Sequence, residues 1–226
     1  MMTIGLICEG VSEINIMTRI ISKYFDEEPF INPIEPETRL ENGHLVQEGY
    51  GGWKQVLSHC NDETIEKILQ FNDALVIQID TDASIQAGYD VSPFDAEGKA
   101  KDPHVLYEDV KNRLKQGLSH EMLEKYANRI LFAISINEIE CWLLPLYYTD
   151  NNKCKTQNCI FSLNRALARK NMGVIPEADK NSSIARTVYN KILKNFKNKR
   201  TIEDCAKNQY SFESLLRQLD LLSGGN

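Results

Sequence analysis

The sequence predicts an α/β protein, a mostly parallel sheet with helices on both faces, followed by a helical C-terminal extension. Three apolar runs, Thr3 to Cys8, Ala74 to Ile79 and Ile130 to Ile136, are continuous instead of alternating. That is the pattern of strands buried on both faces. Stretches with helical spacing separate the runs, and strands alternating with helices imply parallel pairing. Two runs lead straight into acids, Glu9 after the first and Asp80 after the second. Ligands of such sheets gather at the carboxyl ends of the strands.

Each element has a local reason. Gly10 breaks the first run, and Ser12 is expected to cap a helix whose apolar stripe is Ile14, Met17, Ile20, Ile21 and Tyr24. Ile31 to Ile34, interrupted by proline, suits a short edge strand. Gly51-Gly52 precedes one helical pattern in Trp53, Val56 and Leu57, and another follows in Ile65, Ile68 and Leu69. From Ser84 to His104 the composition turns to Gly, Pro, Asp and Ser. A connection that long without regular structure is expected to be a lid, a binding loop or disordered. Helices are expected around Val105 to Leu114 and Glu121 to Ala127. Asn137, with Glu140 three residues on, resembles a capping box, opening a helix with the face Ile139, Trp142, Leu143 and Leu146. Beyond Thr149 the chain reads as polar and helical, with stripes at Leu163 to Leu167, Ile184 to Ile192 and Phe212 to Leu222. Residues 1–150 are therefore expected to form the α/β domain and residues 151–226 the extension packed on it.

A chain of 226 residues, 42% hydrophobic and 26% charged, can bury one sizeable core. No apolar stretch approaches the roughly 20 residues that span a bilayer. Met1 to Cys8 is too short for a signal-peptide core and lacks a basic leader. The expectation is a soluble, cytoplasmic protein without membrane partners. In that reducing setting Cys8 and Cys141, both in apolar runs, read as small hydrophobes, and the Cys154–Cys159 spacing is wide for a zinc knuckle. A net charge of −6 argues against broad affinity for phosphate backbones, though an acidic metal site is itself compatible with a nuclease. The basic run Lys191, Lys194, Lys197, Lys199 and Arg200 reads as a solvated helix end.

Glu9, Asp80 and Asp82 are the acids that a metal reading needs. Mg²⁺ takes oxygen ligands in near-octahedral geometry and keeps several waters. Asp80-Thr-Asp82 places two carboxylates on one side of an extended segment, and Glu9 can meet the same ion from a neighbouring strand. Gly10 permits close backbone approach at a helix N-terminus that favours an anion such as phosphate. Acids at strand ends also start turns or cap helices, which explains any one of the three taken singly.

Ile7-Cys8-Glu9-Gly10-Val11-Ser12-Glu13, followed by a strand ending in Asp80-Thr-Asp82, resembles the TOPRIM (topoisomerase–primase) domain, a Rossmann-like α/β fold. Within that superfamily the chain is most similar to small stand-alone TOPRIM-like proteins related to the RloB and OLD-type bacterial defence nucleases. It shares their Glu-Gly-x-x-Glu start, and Glu140-Cys141-Trp142-Leu143-Leu144 resembles their Glu-x-Trp-Leu-Leu segment. Gly51-Gly52-Trp53-Lys54 and Tyr210-Ser211-Phe212 resemble further segments. The resemblance covers roughly residues 1 to 150. It implies Mg²⁺ or Mn²⁺ bound by Glu9, Asp80 and Asp82, with Glu9 also handling a proton and Glu13 as a supporting acid. Glu140 either completes the acidic site or only caps its helix with Asn137. Gly10 and Lys54 are candidate phosphate contacts, with a surface role the alternative for Lys54. Trp142 is expected in the core.

The implied activity is metal-dependent phosphodiester hydrolysis on DNA or RNA, in prokaryotic defence or nucleic-acid processing. Nucleic acid is the expected partner, with a partner ATPase or another defence protein, and a homo-oligomer, left open. One alternative is a non-catalytic sensor or partner subunit that keeps the fold. Another is a haloacid-dehalogenase-type phosphatase, whose nucleophile sits in an Asp-x-Asp after an apolar strand. That reading leaves Glu9 unexplained.

Overall fold

The computed structural model describes residues 1–224. Four parallel strands form the central sheet in the order β2-β1-β5-β6: β1 (Thr3–Ile7), β2 (Phe30–Glu35), β5 (Ala74–Asp80) and β6 (Ile130–Ser135). The three continuous apolar runs are the inner pair and one edge. Along each strand alternate residues turn to opposite faces. Ile4 and Leu6, Ala74 and Val76, and Leu131 and Ala133 enter one apolar cluster. Ile7, Leu75, Ile77, Ile79, Phe132 and Ile134 enter the other. Both sides of the sheet are therefore dry, which is why the runs do not alternate.

On the first face lie α1 (Val11–Tyr24), α6 (Cys159–Arg169), α7 (Ser183–Leu193), α8 (Lys199–Ala206) and α9 (Tyr210–Ser223). On the second lie α2 (Trp53–His59), α3 (Asp62–Phe71), α4 (Pro103–Lys115) and α5 (His120–Lys125). The expected stripe of α1 is buried throughout. The C-terminal helices share one continuous core with α1 and the sheet. Within it the ring of Trp142 stacks on Phe212 with centroids 4.6 Å apart, and its indole N–H donates to the Ser211 hydroxyl.

Several local expectations change. The N-cap of α1 is Gly10, not Ser12, which sits inside the first turn. A hairpin absent from the expectations, β3 (Thr38–Glu41) with β4 (His44–Gln47), turns at Asn42-Gly43, both at positive φ. The expected helix after Asn137 is a 3-10 segment, Ile139–Leu146, that contains Pro145. Asn137 adopts a left-handed conformation, and the N-cap position belongs to Glu138. Asn137 and Glu140 thus form no capping box. Cys141 is disulfide-bonded to Cys159, joining the 3-10 segment to α6, so it is not the free thiol the apolar run suggested. Cys159 correspondingly makes no pair with Cys154. The Ser84–His104 connection is irregular but anchored: Tyr89 is fully buried, and the Arg113 guanidinium donates to the carbonyls of Tyr89 and Gly88.

At the β6 edge, Phe132 turns its N–H and C=O away from β5. The Gln218 side chain on α9 accepts from that N–H at 2.9 Å and donates to that C=O at 3.0 Å. One amide thus imitates a neighbouring strand and closes an edge that would otherwise offer itself for pairing. Gln218→Ala leaves a buried N–H without a partner, with an expected loss of about 1–3 kcal/mol in chemical denaturation. Light scattering is expected to show concentration-dependent association that the parent chain lacks.

Candidate functional site

The chain builds β1 and β2 to one side, then β5 and β6 to the other, so the sheet order reverses between β1 and β5. Crevices outside the carboxyl ends of strands at such a reversal are where open α/β sheets bind ligands. Here β1 runs into Glu9 and β5 ends on Asp80. Backbone and side chain interlock between them. The Asp80 N–H donates to Glu9 Oε1 at 2.6 Å, and the Glu9 N–H donates to Gln78 Oε1 at 3.2 Å. Gln78 Nε2 in turn donates to Asp80 Oδ1 at 2.9 Å. Gln78, fully buried in mid-strand, thereby fixes both acids.

The next two residues are held by β6. The Thr81 and Asp82 N–H groups donate to the Asn137 carbonyl, and the Asn137 N–H donates to the Thr81 hydroxyl at 2.7 Å. The left-handed turn at Asn137, which asparagine tolerates better than most residues, makes this exchange possible. Strand geometry ends at Asp80, so the two aspartates do not lie side by side on an extended segment as expected. Asp80 is buried, whereas Asp82 is exposed at the rim.

Together with Glu13, Gly51, Lys180 and Asn181, these acids line an open cleft of about 410 Å³. Gly51 has a steric reason, since a Cβ there would lie 2.4 Å from the Glu9 carbonyl oxygen. The Gly52 N–H donates to that same oxygen at 2.7 Å. Gly10 has a similar reason, because its Cβ would meet the Glu13 carboxylate at 2.6 Å. The Ser12 hydroxyl lies 2.9 Å from both Glu13 carboxylate oxygens, and the Ser12 N–H donates to Asn181 Oδ1. Gly10, a candidate phosphate contact, lines the cleft, while the Ser12 N–H at the start of α1 is already taken by Asn181. Lys54 is exposed and lies over the Trp53 ring, outside the cleft lining.

Glu140 is fully buried and belongs to the acidic site. Its carboxylate accepts from Lys180 Nζ at 2.9 Å and from the Tyr189 hydroxyl. Glu138 accepts from the same ammonium at 3.3 Å and from the Ile160 N–H. Lys180, Asn181, Gln78 and Tyr189 are site residues that the sequence reading missed. Lys180 lies in the irregular stretch between α6 and α7, where spacing carries no information.

Charge dominates the site. Burial pushes Glu9 up to about 8, reinforced by Glu13 and Asp82 and opposed by the Asp80 N–H and Lys180. Burial and the neighbouring carboxylates also raise Glu13 and Asp80, and partial desolvation at the cleft rim, with the charge of Glu140, raises Asp82 even though its residue surface is exposed. Burial works against the charge of Lys180, but Glu140, Asp80 and Glu138 outweigh it and hold its pKa above the ordinary lysine value. One cation thus faces more negative charge than it can neutralise.

Among the described residues, no group of three or more His, Cys, Asp or Glu side chains already stands in a metal-holding arrangement. The chemistry of the donors nonetheless fits a hard divalent ion. Glu9, Asp80 and Asp82 supply oxygen, and the cleft lining contains no histidine or cysteine. The adjacent Cys8 is fully buried in the apolar cluster of the first face and does not line the cleft. Comparisons with models of known protein families, with curated proteins and with solved structures give no match.

Two outcomes follow from the charge balance. A carboxyl whose pKa is raised by folding stabilises the fold below its unfolded value and loses that contribution as pH rises through its folded value. For Glu9 the window runs from 4.5 to about 8. Without divalent ions, thermal unfolding is therefore expected to show a lower Tm at the alkaline end of that window than at the acid end. Lys180→Met removes the counter-charge of buried Glu140 and is expected to cost about 3 kcal/mol at neutral pH. Urea titration checks this, with Lys180→Met/Glu140→Gln recovering part of the loss.

Proposed function

We propose that this chain is a metal-dependent phosphodiester hydrolase of the TOPRIM type, a cytoplasmic nuclease acting on DNA or RNA in prokaryotic defence or nucleic-acid processing. The observation that carries the reading is the interlocked pair Glu9 and Asp80, flanked by Glu13 and Asp82, at the point where the sheet order reverses. The surplus negative charge there is what a divalent cation would neutralise. Glu9, Asp80 and Asp82 would hold Mg²⁺ or Mn²⁺, which when bound polarises a phosphate and acidifies a water.

The chain's own residues supply the rest. Without a divalent ion burial raises Glu9 to about 8; a bound cation would lower that value, and Glu9 would then serve as ligand and proton acceptor. Glu13, on the first turn of α1 and in the cleft lining, adds to the burial that raises Glu9. Gln78 and the Asp80 N–H fix the orientation of Glu9 and Asp80. Lys180, anchored by Glu138 and Glu140, presents the one ammonium in the cleft lining, where it can meet phosphate charge. The phosphatase alternative is disfavoured because the carboxyl group of Asp80 is buried and bonded to Gln78, a poor placement for an in-line nucleophile.

The test is hydrolysis of plasmid, linear and single-stranded substrates with Mg²⁺ or Mn²⁺. Glu9→Gln and Asp80→Asn are each expected to lower the rate by about 10²-fold or more. Mg²⁺ is expected to raise the Tm of the parent chain and not that of Asp80→Asn. Hydrolysis that survives both substitutions overturns the reading. A Tm response without turnover on any substrate assigns the fold to a non-catalytic binding role.

A further inference from the structure

We propose that the groove between α1 and α7 is the track along which a nucleic-acid strand leaves the cleft, its phosphates meeting Arg19 and Lys194. The inference rests on the reading of the cleft given above. Both helices begin at the cleft and run in the same direction. At the near end the Ser12 N–H donates to Asn181 Oδ1, and at the far end Arg19 Nε donates to the Leu193 carbonyl at 3.0 Å. Between them lies an open groove of about 520 Å³ whose walls include Asn15, Arg19, Lys23, Asn190 and Lys194.

The groove carries three cations against one carboxylate, Glu28, in a chain whose net charge is −6. Glu28 is paired with Lys23. Among the described residues neither Arg19 nor Lys194 meets a carboxylate, and Lys194 is exposed. The amides and hydroxyls of the walls are neutral groups of the kind that bond phosphate oxygens. Lys194 also belongs to the basic run that α7 leaves in solvent and that the cleft does not use.

The spacing suits a strand. Arg19 and Lys23 stand six and ten residues beyond Glu13, which at 1.5 Å per helical residue is about 9 and 15 Å along α1. At the 3.4 Å rise of a strand stacked as in B-form DNA, that reaches roughly three to four nucleotides past the cleft. The cleft cannot supply this affinity itself, because its carboxylates repel a polyanion.

The test is fluorescence anisotropy with a fluorescein-labelled single-stranded oligonucleotide of about 12 nucleotides across a salt series. Lys194→Glu is expected to weaken binding about fivefold or more at low salt and to lower the salt slope by about 1. Arg19→Gln/Lys194→Glu is expected to lower both further, with thermal unfolding confirming that the variant is folded. Lys67→Glu, an equal reversal on α3 across the sheet, is expected to bind like the parent. An oligonucleotide affinity that is undetectable in the parent, or equal in Lys194→Glu and Lys67→Glu, overturns the proposal. Hydrolysis of bis(p-nitrophenyl) phosphate, too small to reach the groove, reads the cleft separately. Its presence with no Lys194 effect sinks the groove alone, and its absence alongside a Lys194 effect sinks only the hydrolase reading.

Discussion

Carboxylates leave water at a large free-energy cost unless a cation or well-placed donors compensate them. At the carboxyl edge of this sheet one ammonium group does that for two buried acids directly and for several more at a distance. Lys180 bonds Glu140 and Glu138, and its field offsets Glu9, Glu13, Asp80 and Asp82. The rest of the site depends on that balance. Asn181 ties the irregular stretch between α6 and α7 to the start of α1 and Lys180 ties it to the 3-10 segment, so the C-terminal helices close the cleft as well as cover the core. Without the ammonium, Glu140 would be a fully buried charge facing only a tyrosine hydroxyl.

The backbone works to the same end. Glu9 follows the end of β1 and Asp80 ends the adjacent parallel β5, yet neither strand alone orients its acid. Gln78 reaches both, and Asn137, two residues past the end of β6, fixes the residues after Asp80. The Gly51-Gly52 turn then presses against the Glu9 carbonyl, an approach that any side chain at Gly51 would block. Tyr89 donates to the Asp80 carbonyl and packs on Trp53, so the long connection after β5 is fastened to the site at its first half. A site assembled on strand ends and fastened from three sides is rigid in its backbone. Its freedom lies in the exposed carboxylate of Asp82 and in the charge that the cleft can accept.

Much of this frame was legible because it rests on local rules. A run that is apolar at every position has to be buried on both faces, which gave three of the four sheet strands and the expectation of parallel pairing. The stripe Ile14, Met17, Ile20, Ile21, Tyr24 marked α1 for a similar reason. The one local signal for the hairpin β3–β4 is its Asn42-Gly43 turn, because its strands are short, at most half-buried, and lack an apolar alternation. The segment Ile139–Leu146 has a periodicity that fits an α-helix, while Pro145, which has no N–H to give, interrupts the α-helical ladder. Lys180 and the Cys141–Cys159 bond could not be read at all. Each is a long-range pairing made by tertiary packing, and nothing in the surrounding spacing points to its partner. Glu140 shows the same limit: its short-range relation to Asn137 suggested a cap, and its long-range relation to Lys180 decided its role.

The acidic cleft and the basic groove pose one electrostatic question between them. A polyanion approaching Glu9 and Asp80 meets like charge in a partly desolvated setting, where repulsion is stronger than in water. A bound divalent ion reverses the local sign, but only over the few ångströms where its field is unscreened. Attraction over a longer reach must then come from elsewhere on an acidic chain, and the positive α1–α7 groove begins at Asn15, about one helical turn along α1 from Ser12 in the cleft lining. Splitting the labour this way separates affinity from chemistry. The groove sets how long a strand dwells and how steeply salt releases it, whereas the cleft sets what happens at one phosphate. Such a division also reconciles a negative net charge with a polyanionic substrate, because the protein needs positive potential along one path only.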